Sequence, residues 1–201
     1  MRFGRLYVSP LLLLILLFFI AVDASIYAPL IILAAAFHEM GHLSTLKKCG
    51  LDVQEVNLHP FGVEIVVEGL RYLPYHDELA VAASGPLVNL LVAVVTTLVV
   101  LLTGPFDGAL FFIVVNLALA LLNLMPIQGL DGGRILEALL MPRMSLDRAE
   151  RTLKAVSGAA SALVFVAGLW LLYKTRYNFS LAMIGCYLLA RKSLRDNADP
   201  S

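Results

Sequence analysis

Apolar residues run along this chain in long blocks separated by short polar breaks. The blocks are Val8–Val22, Ile26–Leu46, Leu79–Leu102, Ala109–Met125, Val156–Tyr173 and Phe179–Ala190. An α-helix rises about 1.5 Å per residue, so about 20 apolar residues cross the ~30 Å hydrocarbon core of a bilayer. The pattern predicts about six transmembrane helices, the first and last of them short. Arg2 and Arg5 before the first block, with Val22-Asp23-Ala24 after it, also fit a secretory signal peptide. The second block follows almost at once, which favours a retained span.

A different pattern fills the break between the second and third blocks. Leu51–Leu58 and Gly62–Glu68 are rich in β-branched residues and partly alternate, with His59-Pro60-Phe61 as the turn between them. This predicts a small β-hairpin within 51–68, with an edge open to an extended peptide. An amphipathic connector fits the same residues. Gly104-Pro105-Phe106-Asp107-Gly108 predicts a short external turn. Met141–Lys154 is polar and basic and predicts a surface helix along anionic lipid, and Asn197–Ser201 a frayed tail.

Composition turns the pattern into a class. Of 201 residues, 60% are hydrophobic and only 15% charged, whereas soluble domains are nearer half apolar and a quarter charged. Mean hydropathy is +0.85. The fold class expected is an all-α polytopic membrane protein with a small β-hairpin. Net charge is zero, so no nucleic-acid footprint is present. Basic residues orient the bundle. With six spans and a cytosolic N-terminus, only Lys174 and Arg176 of the 15 Lys and Arg fall outside. If the last block did not span, Arg191, Lys192 and Arg195 would join them. Six spans is the better reading, and it puts the hairpin on the cytosolic side. Cys49 and Cys186 form no spacing motif and read as free thiols.

The chemistry lies in the second block, at His38-Glu39-Met40-Gly41-His42. Histidines at i and i+4 project from one helix face, about one turn apart, with the glutamate beside them. That spacing suits two imidazoles on one Zn²⁺ and leaves a carboxylate free to act as a base on water. An ionisable group at bilayer depth costs about 2.5–3.5 kcal/mol even on the lenient insertion scale, so such groups read as functional. A catalytic zinc site wants a third protein ligand. His59 and His76 are the spare histidines, both in the polar connector. Asp131 follows the fourth block, after Pro126 breaks the helix, and reaches the same cytosolic half as His38 and His42. Spacing alone leaves Asp131 equally a ligand or the cap of a helix beginning near Gly133. Glu39-x-x-His42 is also the repeat of carboxylate-bridged di-iron bundles, but those need a second copy, and this chain has none. Ser84-Gly85-Pro86-Leu87-Val88-Asn89 interrupts the third block and reads as structural: Gly and Pro for close helix contact, Asn89 as a bridge between helices.

With these residues assembled, the chain resembles the site-2 protease family of intramembrane zinc metalloproteases. His38–His42 matches that family's HExxH helix. Asn123 through Gly132 matches its second motif, an Asn…Pro…Asp-Gly pattern, and Gly85-Pro86…Asn89 looks like its GPxxN element. The likeness covers roughly Ile26 to Gly133. It implies one zinc per chain held by His38, His42 and Asp131, with Glu39 as the base. It implies that Asn123 orients the substrate strand, though a plain helix-bundle hydrogen bond fits Asn123 equally. It also implies a membrane-tethered protein substrate, with membrane inhibitor proteins as candidate further partners. The six-span layout and Pro60-Phe61-Gly62 look most like the sporulation branch, in which the protease activates a membrane-tethered transcription factor. That branch usually carries a C-terminal nucleotide-sensing CBS domain; this sequence ends at Ser201 without one, as a truncated chain or a shorter relative would.

The organisation expected is an N-terminal membrane segment at 1–25, a catalytic membrane core at 26–133, and a surface helix with two further spans at 134–201. The active site would open toward the cytosol. The rival from another class is a non-catalytic membrane metal carrier or scaffold. A carrier should spread ionisable residues over several spans, and here they cluster at one depth. A scaffold that had lost catalysis should lack Glu39.

Overall fold

The computed structural model describes residues 2–3, 6–10, 26–51, 53–59, 62–67, 73–177 and 179–198. Among them are four strands, β1 (Arg2–Phe3), β2 (Leu6–Val8), β3 (Val53–His59) and β4 (Gly62–Val67). There are also six helices, α1 (Tyr27–Lys48), α2 (Tyr75–Thr103), α3 (Ala109–Asn123), α4 (Asp131–Leu140), α5 (Leu146–Thr175) and α6 (Ser180–Ala198), all but α4 lying over apolar blocks. The chain forms two compact units, Met1–Leu122 and Asn123–Ser201.

In the first unit, β3 and β4 pair antiparallel with Val56 opposite Ile65, and a register shift lies between Val53 and Glu55. The sheet is larger than a hairpin. β2 lies parallel to β3, pairing Leu6 with Val56, and β1 pairs antiparallel with β2. The order is β1-β2-β3-β4. Arg2–Phe3 and Leu6–Val8 are thus strands rather than the approach to a span. Residues 11–22 of the first apolar block lie outside the described residues.

The helices of this unit meet through small and polar residues, as expected where lipid removes the hydrophobic drive for helix contact. Gly41 of α1 faces the Ser84–Gly85 backbone of α2, where an added methyl would lie 2.6 Å from the Ser84 carbonyl oxygen. Gly108 likewise leaves room for Ile26 and Leu30. The rings of Tyr27 and Phe111 stack 4.6 Å apart between α1 and α3. Pro86 lies inside α2 without ending it.

The second unit departs from the sequence reading at two places. The predicted surface helix and the fifth span are one helix, α5. No proline falls between Leu146 and Thr175, so the shift from polar to apolar changes the helix's surroundings and not its backbone. The fourth block is helical only to Asn123, and Leu124 and Met125 lie in the loop before α4. Against α5, the last helix packs through Gly168, which fits against Ala182, and Gly185, which fits against Phe165. α2 and α5 are long and apolar enough to cross a membrane, and α3 and Leu181–Ala190 are shorter apolar helices.

Candidate metal centre

His38 and His42 lie on the buried face of α1, one turn apart, as their spacing requires. Their rings stand edge to face, with the two Nε2 atoms 3.2 Å apart. Each ring is held by its other nitrogen. Nδ1 of His38 is 2.6 Å from Oδ1 of Asn89, and Nδ1 of His42 is 2.8 Å from the carbonyl oxygen of Val81. Ser84 donates its hydroxyl to that same carbonyl at 2.6 Å. Both partners come from α2, so the α1–α2 crossing that Gly41 allows also aims the imidazoles. Glu39, half-buried, lies between the histidines in sequence.

The pair fits zinc. Two bonds of roughly 2.0–2.1 Å at a tetrahedral centre put their nitrogens about 3.3 Å apart, close to the spacing here. Gly85 leaves room for both rings. A methyl there would lie 2.8 Å from His38 Nε2 and closer still to His42 Nε2. The reading of Gly85-Pro86…Asn89 as purely structural is therefore incomplete. Gly85 clears the site and Asn89 holds a histidine, two roles with no signal in hydropathy or spacing.

Of the other sequence candidates in this unit, His76 is exposed at the start of α2 and pairs with Asp77 at 3.0 Å. It takes no part in the pair. The His59 side chain lies outside the described residues. Cys49 caps the C-terminus of α1 as a free thiol, and burial, with the charge of Asp77 second, pushes that thiol up, against thiolate ligation.

Asp131 belongs to the second unit. It is buried, and it is the first residue of α4, one position later than a cap. Leu130 occupies the cap position, and no side chain bonds there. The helix begins at Asp131 rather than near Gly133. The loop before it is tied down by packing. Ile127 is buried with Val164 and Leu188, and the backbone N–H of Gln128 donates to Ser157 Oγ at 2.9 Å. Gly129 takes a positive φ of 95°. Gly132 and Gly133 lie directly against the carbonyls of Leu124, Met125 and Ile127, where no Cβ fits. Asn123 is the last residue of α3 and is half-buried.

Residues 103–167 match the family model described as Peptidase family M50. The chain is 26% identical over 145 residues to a zinc metalloprotease of Methanocaldococcus jannaschii, covering 70% of this chain and 42% of that one. It is 26% identical over 162 residues to stage IV sporulation protein FB of Bacillus subtilis, covering 79% and 54%. The chain thus spans about half the length of the curated relatives it matches. The fold is that of a solved site-2 protease from Methanocaldococcus jannaschii, with a TM-score of 0.68 over 96% of this chain and 92% of that one, at 20% identity. In family model, curated relatives and fold, the chain is similar to peptidase family M50 and its site-2 proteases, as its motifs implied. Zinc is the cofactor that this kinship and the histidine geometry both indicate.

Proposed function

We propose that this chain is an intramembrane zinc metalloprotease that hydrolyses a peptide bond in or near a transmembrane segment of a membrane-tethered protein. The observation that carries the reading is the histidine pair on α1, its Nε2 atoms at zinc spacing and Glu39 between them in sequence. We assign His38, His42 and Asp131 as the ligands. All three are buried donors of the types zinc takes.

When bound, zinc supplies a Lewis acid that polarises a carbonyl and brings the pKa of water to about 7. Glu39 accepts the proton from the attacking water and later gives it to the leaving amine. Asn123 orients the substrate strand. A substrate helix hides its carbonyls in backbone hydrogen bonds and must unwind before cleavage. β4, at the edge of the sheet, offers the unwound segment a pairing surface. The substrate class implied by the resemblance to the sporulation branch is a membrane-tethered transcription factor, released to the cytosol by the cut.

The test is cleavage of a tethered substrate by the zinc-loaded protein and by its Glu39→Gln variant. The variant should keep its zinc and lose about 10²–10⁴-fold in rate. Near wild-type cleavage would remove Glu39 from the mechanism. Orientation is read separately. Lys47 and Lys48 end α1 on the side expected to be cytosolic. A cysteine at Gln128, with Cys49 and Cys186 replaced, should react with an impermeant thiol reagent only from that side, and labelling from outside would invert the topology.

A further inference from the structure

The groups that hold His38 extend past Asn89 into α3, and every link has only one possible direction. Asn116, fully buried on α3, donates from Nδ2 to the Phe112 carbonyl at 2.9 Å. A carbonyl can only accept, so this bond fixes which end of the Asn116 amide is nitrogen and turns its Oδ1 the other way. That Oδ1 accepts from Nδ2 of Asn89 at 2.8 Å. The other hydrogen on Asn89 Nδ2 goes to the Ala34 carbonyl at 3.1 Å. Both donors of Asn89 are used, its amide cannot flip, and its Oδ1 must face His38 Nδ1. An oxygen there requires a proton on Nδ1. Whenever the ring is neutral, His38 is therefore the Nδ1–H tautomer, with its lone pair on Nε2. The Val81 carbonyl, again an acceptor only, imposes the same tautomer on His42.

We infer that Asn89 and Asn116 form a tautomer lock, which presents two bare Nε2 lone pairs to one cation and so sets the zinc affinity of the histidine pair from as far away as α3. The inference rests on the metal reading of that pair, though not on any proteolytic activity. The two Nε2 atoms lie 3.2 Å apart, so lone pairs on both can meet at one shared cation. Were Asn89 only a bridge between helices, its bonds to Ala34 and Asn116 would suffice, and the contact to His38 would carry no chemistry.

The experiment uses the full chain in detergent micelles with zinc alone as probe. In metal-free wild-type protein at neutral pH, ¹⁵N shifts of the histidine rings should report Nδ1–H for both His38 and His42. A ring protonated at Nε2 instead would overturn the lock without any variant having to fold. Zinc affinity, measured by competition with a chromophoric chelator, should fall about 10- to 100-fold in Asn89→Leu, the range for loss of a group supporting a metal ligand. It should fall by a smaller factor in Asn116→Leu, and Asn116→Asp, which keeps an acceptor for Asn89, should recover part of that loss. Wild-type affinity in Asn116→Leu would show that the chain of bonds stops at Asn89 and would overturn the proposal. A wild-type protein that binds zinc with both tautomers as stated, but cleaves no tethered substrate, would fail the proposed function and leave the lock standing.

Discussion

The histidines on α1 and the aspartate that opens α4 are held by opposite means. Around His38 and His42 the holding groups are polar: an amide for one ring and, for the other, a carbonyl that also accepts from a serine hydroxyl. Around Asp131 they are steric: a buried isoleucine, a loop turned at one positive-φ glycine, and two glycines pressed against carbonyls. The difference follows from geometry. A regular helix already positions its side chains, so only the rotation of each ring is left to fix, and one directional bond does that. A loop has its backbone to fix as well, and burying an anchor such as Ile127 restrains several residues at once.

If that contrast is right, the two regions should fail in different ways. The largest effect is expected at Gly85. Alanine there would improve helix propensity by about 1 kcal/mol, yet its methyl would take the space beside both Nε2 atoms. Gly85→Ala should keep its helix content by circular dichroism and lose its zinc. Stoichiometric zinc in that variant would mean that the histidines can turn away from their partners. Next comes Asp131→Ala, in which bound zinc and cleavage should fall together. Retained zinc would reduce Asp131 to a first-turn acid favoured by the helix dipole, worth about 0.3–1 kcal/mol. The smallest effect on chemistry, with a clear effect on stability, is expected for Ile127→Ala. Removing a fully buried side chain should cost about 2–5 kcal/mol and lower the thermal midpoint, with the ¹⁵N signals of the α1 histidines unmoved. A shift in those signals would show that packing and hydrogen bonding are not the separate supports described here.

Much of the site was legible because its rules are local. His38, Glu39 and His42 follow from helical spacing alone, and Asp131 emerged from a proline-broken loop only once the family motif was added. Asn89 and Asn116 did not emerge as functional. Both sit in apolar stretches where an asparagine reads as helix glue, and only side-chain geometry shows that one faces an imidazole. The apolar blocks located the helices, because hydropathy reports burial or lipid contact over about 20 residues. They misplaced boundaries where polarity changed without a break in the backbone, as at the start of α5. The first two strands were missed because Arg2 to Val8 is too short to show alternation, and β2 owes its pairing to β3, a partner distant in sequence.

Of the three helices described in the first unit, α1 bears the densest load of ionisable groups, and it is absent from the helices apolar enough to cross a membrane by composition. The segment that carries the chemistry is thus the one least suited to enter lipid alone. Its polar groups are accommodated only once α2 supplies Asn89 and the Val81 carbonyl, and α2 leaves the ribosome later. The histidines of α1 therefore gain their partners only after α2 has been made and has packed against them. A newly made chain has no aligned imidazole pair until that second helix arrives.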